Sequence, residues 1–410
     1  METSDDIQLV RALAERYLEA CADPDQQRRR EVWTAVNSLV PVPPPLYMRL
    51  GVCINEVIDP AALECESPFW RHFEHWFKVQ LFIASLWDDS VLEPWLPLRA
   101  VLEHSGWGVQ VKHIPAPTPG GSWMYDPPLK TEADLDNLIV PRHSVNEDAT
   151  QTAYEQLAEG VGDLITIEID RSPAYQVWTA DLSTDLAHLR GLKQIMIDMV
   201  DRPEWLHRLL AFMRDGVLKA HQEAEDAGHW RLSNHQNQAM PYCKELEPPQ
   251  AGSPPVNRSR LWCFLAAQEL TLVSPAMHEE FMFNYQRPIL EKFGLVSYGC
   301  CEDLTRKIAM VKQLPNLRRI AVPPRADLAA CAEQTAGEYT LSWRPNPADT
   351  VCVGFKEDAI LKLLRKGLEE GQGHPMDITL KDVQTVQNQP WRLRRFVELA
   401  RQAVDRYWRV

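Results

Sequence analysis

Two adjacent cysteines and a glutamate, Cys300, Cys301 and Glu302, close the short apolar run GLVSYGCCE. A thiolate beside a carboxylate can hold a soft cation, attack an electrophile or move a proton. Reactive types also stand at the ends of other short apolar runs. One run ends in Asn234, His235 and Gln236, and the next carries Cys263 and ends in Gln268 and Glu269. Tyr298 precedes the cysteine pair, Arg344 and Asn346 end a further run, and Lys381 and Asp382 end the last.

His235, Cys263, Cys300 and Cys301 are the candidate metal ligands, with Glu269 or Glu302 as a further donor. A tetrahedral zinc with one open position would lower the pKa of a bound water or polarise a leaving oxygen, sulfur or nitrogen. Each residue also has a plainer use. Cys263, between Trp262 and Phe264, could be a small core hydrophobe. His235 could be a hydrogen-bonded core histidine, or a general base. Glu269 sits on an otherwise apolar run and must be paired or at work there. Arg344 and Lys381 could clamp a substrate carboxylate, or pair with neighbouring helices. A nucleophilic Cys300 or Cys301 with His235 as base is the remaining chemistry, although no thiol-protease signature surrounds it. Neighbours on a strand face opposite ways, so only one of Cys300 and Cys301 is expected to enter a pocket. The acidic stretch WDDSVLEPW (87–95) reads as a plain turn.

These residues need elements to position them. From about residue 150, β-like runs at 163–170, 229–236, 261–269, 294–301, 317–324, 339–346 and 376–382 alternate with helical patterns. Such alternation predicts parallel strands with right-handed crossovers. With one earlier strand, in LYMRLGVCI or GWGVQVKHI, it predicts an α/β fold, a (β/α)8 TIM barrel with N-terminal flanking helices. An open doubly wound sheet is the alternative, but no glycine-rich phosphate loop follows any strand. The strand ends would then line the mouth of the barrel, where such folds keep their active sites. Residues 1–120 read as N-terminal helices and the start of the barrel, and 121–410 as the barrel proper, in one structural unit. Ile7, Leu9, Val10, Leu13 and Tyr17 recur at helical spacing, and a second helix follows Asp23-Pro24.

Composition removes several classes. The net charge of −14 in 410 residues argues against nucleic acid and against an anionic membrane surface. No run is long and apolar enough to span a bilayer, and the acidic start has no signal-peptide pattern. The nine scattered cysteines suit free thiols in a reducing, cytoplasmic setting.

The segments SWMYDPPLKTEADLDNL, SPAMHEEFMFNYQRPILEKFGLVSYGCCEDLTRKI, LPNLRRIAVPP and YTLSWRPNPADTV together resemble the uroporphyrinogen decarboxylase-like superfamily, best from about 120 to 390. The resemblance implies a (β/α)8 barrel and one of two chemistries. Porphyrinogen decarboxylases use no cofactor and grip carboxylates with paired arginines; here PPPLYMRLGVC keeps only Arg49. The other branch is zinc-dependent and moves methyl groups to or from a corrinoid protein or coenzyme M. Its thiol-methylating members carry His-x-Cys, where this chain has Tyr298 and Cys300, and a later cysteine that HPMDITLKDVQTV lacks. That alignment makes Cys300 the working thiol. The expectation is a metal-dependent methyltransferase that moves a methyl group from an O-, N- or S-methylated small molecule to cobalamin on a separate corrinoid protein. Zinc would sit on His235, Cys263 and Cys300 or Cys301. Glu302 would activate the leaving group, with Glu269, Tyr298, Asn346 and Arg344 around it. A cofactor-free decarboxylase and a non-catalytic binding barrel are the alternatives, and a homodimer is a further expectation.

Overall fold

The computed structural model describes residues 4–103, 106–118, 124–173 and 182–409. Ten strands are present among the described residues: β1 (Leu46–Met48), β2 (Trp95–Arg99), β3 (Lys112–Ile114), β4 (Met124–Asp126), β5 (Thr166–Asp170), β6 (Trp262–Leu265), β7 (Leu295–Tyr298), β8 (Leu317–Val322), β9 (Thr340–Trp343) and β10 (Met376–Leu380). Six form one parallel sheet in the order β1-β10-β9-β8-β7-β6, so the first strand of the chain pairs with the last. β2 and β5 form a second parallel pair, and β3 and β4 an antiparallel hairpin. Helices fill the crossovers, among them Pro203–Asp226, Leu328–Thr335 and Glu357–Glu370, and the helix Trp391–Tyr407 follows the last strand. The architecture is mixed α/β around a curled parallel sheet, and no strand pairing joins its two parts among the described residues.

The physical reason for that gap is visible at both ends. The free edge of β1 is taken by carboxylates instead of a strand. Asp89 accepts from the Leu46 N–H and Asp88 from the Met48 N–H, both at 2.8 Å. The acidic stretch expected to be a plain turn is therefore a buried clasp, and Asp89 is held in turn by Arg28 and Arg401. At the other end, the run 229–236 makes a 3-10 turn at Leu232–Asn234 in place of the expected strand. Only its tail pairs with the sheet, through Gln236 N–H to Trp262 O at 3.2 Å. Side chains bridge it to β5: Asn234 donates to Asp170 at 2.9 Å and Ser233 to Glu168 at 2.6 Å. Of the two early candidates, LYMRLGVCI supplies β1, while GWGVQVKHI supplies β3, whose three residues are exposed.

Two cores hold the molecule together. The larger lies between the parallel sheet and its helices and contains Cys263, Tyr298, Ile320, Trp343 and Ile378. The smaller joins the N-terminal helix Ser4–Cys21 to the helix Pro68–Leu86 and to β2, around Tyr17, Trp70, Phe77 and Leu96. The helix Asp25–Asn37 closes the end of the sheet where the strands begin. There Arg319 of β8 and Asp377 of β10, both fully buried, form an ion pair at 2.7 Å, and Asn37 accepts from Arg319 at 2.6 Å.

Alternation along each strand then decides what reaches the opposite end. Asp377, Thr379 and Lys381 share one face of β10 and its extension, and Thr340, Ser342 and Arg344 share the same face of β9. Both rows run from the polar network around Arg319 to the sheet's C-terminal edge.

Candidate active site

Cys300 lies just past β7, next to Gly299, whose φ of 98° favours glycine. Its side chain turns to the inner face and packs with Phe264 and Ala266, whereas Cys301 is exposed. The two inward rows end beside it. Lys381 Nζ stands 2.9 Å from Cys300 Sγ. The Arg344 guanidinium donates to the Cys300 carbonyl and to Gln238 Oε1, each at 2.5 Å. Both cations are almost completely buried.

The surroundings favour the thiolate form of Cys300. A hydrogen bond from the Cys301 thiol, followed by the charges of Lys381 and Arg344, holds its pKa well below the usual thiol value against the opposing effect of burial. Cys301 Sγ lies 3.6 Å from Cys300 Sγ and 3.5 Å from an Asp382 carboxylate oxygen. Its pKa is pushed up by that hydrogen bond to Cys300, by burial and by the neighbouring negative charge. Of the two sulfurs, Cys300 is the one whose surroundings favour ionisation.

Glu302 has a different place from the expected proton donor. It is fully buried and accepts from the Ala267 and Cys300 N–H groups, each at 2.7 Å. Burial raises its pKa, and those two backbone bonds oppose the rise. It ties the end of β6 to the turn that presents Cys300, and acts as a positioning residue.

The other expected site residues are dispersed. Cys263 faces the helices in the larger core, with its thiol pKa raised by burial. His235 accepts through Nδ1 from the Trp262 N–H at 3.1 Å, at the first residue of β6 and so at the far end of that strand from the mouth. Burial lowers its pKa to about 3, and its Nε2 is buried with no hydrogen-bond partner. Tyr298 also faces the helices, donating to Gln286 at 2.7 Å with His278 Nε2 at 3.1 Å. Glu269 accepts from Ser183 at 2.6 Å and Thr184 at 3.1 Å, in the first turn of the helix Leu182–Arg190. Asn346 organises its own turn, bonding Ala348 N–H and Asp349. The four expected zinc donors therefore do not converge. No group of three His, Cys, Asp or Glu side chains able to hold a metal ion occurs among the described residues. Lys381 already occupies the position beside the thiolate, and its charge would repel a cation there.

Three features were not anticipated: the Lys381 contact to the thiol, the Gln238 side chain under Arg344, and a cavity beside the mouth. The cavity, of about 380 Å³, is lined among others by Tyr47, Arg49, His72, His75, Trp76 and Met240. Its wall includes Arg49, whose N–H donates to Leu380 O at 2.8 Å, one residue before Lys381, although neither Cys300 nor Lys381 lines it.

A methyltransferase from Methanosarcina mazei has a similar fold. The TM-score is 0.53 at 13% sequence identity, over 92% of this chain and 98% of that one. No family model matches the chain, and no curated protein matches it in sequence. No helix among the described residues is long and apolar enough to cross a membrane.

Proposed function

We propose that this chain is a methyltransferase of (β/α)8 type that takes a methyl group from an O-, N- or S-methylated small molecule and passes it to a corrinoid on a separate protein. The observation that carries the reading is the Cys300–Lys381 contact of 2.9 Å at the C-terminal edge of the parallel sheet. The likeness in fold to a protein named as a methyltransferase supports it.

A methyl group bound to oxygen, nitrogen or sulfur leaves slowly until the heteroatom is polarised or protonated. Lys381 supplies that polarisation without a metal. Its position is set by the alternation along β10, which brings Nζ to 2.9 Å from Cys300 Sγ. As the carbon–heteroatom bond breaks, the electron pair stays on the heteroatom and a Lys381 proton moves to it. A reduced corrinoid supplies the nucleophile that takes the methyl. Arg344 holds the Cys300 backbone and Glu302 holds its turn, so the thiolate cannot swing away from Lys381. The cavity at Arg49 and Trp76 has the size of a small-molecule site, and its wall reaches β10 through the Arg49 N–H to Leu380 O bond. The donors described above do not fit a zinc ion, so no step is assigned to one.

The test is an anaerobic assay of methoxylated compounds, methylamines and methyl thioethers with reduced corrinoid protein, following methylation of the cobalt. Methylation that depends on both this protein and one substrate class supports the reading. A second reading, a decarboxylase without cofactor, is favoured by Arg49 in the cavity wall, where it could hold a carboxylate. Carbon dioxide release from a carboxylic acid in the absence of corrinoid would establish that reading instead. An inert protein that only binds ligand in the cavity would make it a binding barrel.

A further inference from the structure

We propose that Cys300 and Cys301 are a two-thiol modification site that reacts with small hydroperoxides and closes to a disulfide between neighbouring residues. The inference goes beyond the methyl-transfer reading and does not depend on it, although it concerns the same sulfur.

The geometry separates the two roles such a reaction needs. Cys300 is inward and buried, with its sulfur 2.9 Å from Lys381 Nζ. Cys301 is exposed, with its sulfur 3.6 Å from that of Cys300. A thiolate with a cation beside it and a second thiol within reach is the arrangement that favours reversible oxidation. Lys381 bears on the choice of electrophile. It repels metal cations but assists a neutral peroxide, whose departing oxygen needs a proton.

In the first step Cys300 sulfur attacks one peroxide oxygen. The O–O bond breaks, an S–O bond forms, and the leaving alkoxide or hydroxide takes a proton from Lys381. Cys300 is then a sulfenic acid. In the second step Cys301 sulfur attacks Cys300 sulfur and gives up its proton; the hydroxyl leaves as water and the S–S bond forms. Two electrons pass from the two thiols to the peroxide, and no other oxidant is needed. The sulfurs must approach by about 1.5 Å, from 3.6 Å to the bond length of about 2.05 Å. Closure would remove the Cys300 sulfur as an anion beside Lys381 and leave the Asp382 carboxylate, 3.2 Å from Nζ, as its partner.

The remaining thiols provide an internal comparison. Burial pushes up the pKa values of Cys21, Cys53, Cys65, Cys243, Cys263 and Cys331, leaving them protonated near neutral pH. The experiment titrates the reduced full-length protein with hydrogen peroxide near neutral pH and maps the products by peptide mass. The expected result is a loss of about 2 Da confined to the peptide holding Cys300 and Cys301, reversed by dithiothreitol. Cys301→Ser should stop at the sulfenic acid, trapped on Cys300 by a cyclic dione. The wild-type map needs no variant, so a poorly folding mutant does not decide the matter. Oxidation falling first on other cysteines would overturn the proposal. So would progress of wild-type Cys300 to the sulfinic acid with Cys301 still reduced. Methyl transfer is not part of this readout, so either result leaves the functional reading to its own assay.

Discussion

Lys381 Nζ and Cys300 Sγ meet at 2.9 Å although 81 residues separate them in the chain. The contact arises because two strand ends deliver it: β10 through its inward row of Asp377, Thr379 and Lys381, and β7 through the turn at Gly299. The Cys301 hydrogen bond and the Lys381 charge favour the thiolate form of Cys300, and this should be measurable without substrate. The ultraviolet absorbance of the thiolate should titrate with a midpoint well below the ordinary thiol range in the native protein. Cys301→Ala, which removes the largest cause, and Lys381→Met, which removes the next charge, should each raise that midpoint. Cys300→Ser should abolish the transition. A wild-type midpoint in the ordinary thiol range would contradict the charge assignment.

Glu302→Gln keeps the shape of the side chain but replaces one acceptor oxygen with a donor. One of the Ala267 and Cys300 N–H groups then loses its partner in a fully buried place. The expected cost is about 1–3 kcal/mol in urea unfolding. The thiolate midpoint should move as well, because the turn that carries Cys300 loosens. A stability loss with an unmoved midpoint would restrict Glu302 to the fold.

The buried pair of Arg319 and Asp377 lies at the other end of the sheet. Breaking it on one side, as in Arg319→Met, leaves a buried carboxylate unpaired and should cost about 3–5 kcal/mol. The double variant Arg319→Met, Asp377→Asn should recover part of that loss. If the double variant is as unstable as the sum of the singles, the two residues are not coupled as described.

Three buried histidines, His221, His235 and His278, have their pKa values lowered to about 3, in each case chiefly by burial. A histidine with a folded-state pKa below its unfolded value binds its proton only on unfolding. The stability it contributes is complete above about pH 6.5 and is lost as the pH falls toward 3. Unfolding free energy should therefore fall between pH 7.5 and pH 5, by roughly 2 kcal/mol per histidine. His235→Asn retains an acceptor for the Trp262 N–H and should flatten this slope by about one proton. An unchanged slope in that variant would show that His235 is not buried neutral.

Much of the architecture was legible in the sequence. The helices Ser4–Cys21, Asp25–Asn37 and Pro68–Leu86 follow from apolar spacing and proline starts, and five of the seven expected late strands, β6 to β10, form the parallel sheet with β1. β2 was hidden by its prolines. Pro94 precedes it and Pro97 lies within it, which reads as a break, yet among the described residues β2 pairs only with β5 and tolerates a missing donor on its other edge. The ring is interrupted beside β1 because Asp88 and Asp89 satisfy that edge with side chains, and sequence periodicity carries no signal for such a clasp.

The site was legible where strands show alternation and opaque where they do not. The polar rows of β9 and β10 point directly to Arg344 and Lys381. By contrast, Trp262, Cys263, Phe264 and Leu265 are apolar on both faces, as expected for a strand covered on both sides, so the face taken by Cys263 could not be read. His235 was expected at a strand end, but the segment before it turns, which places the imidazole level with the start of β6.

The central claim, that Lys381 beside Cys300 is the reaction centre for methyl transfer, is tested most directly by the methyl-transfer rate of Lys381→Met. The assay uses reduced corrinoid protein and the substrate class found active with wild type, after urea unfolding has shown that the variant is folded. Loss of a positioned proton donor should lower kcat by about 10²-fold or more while KM changes little. A folded Lys381→Met protein that methylates the corrinoid at the wild-type rate would contradict the account.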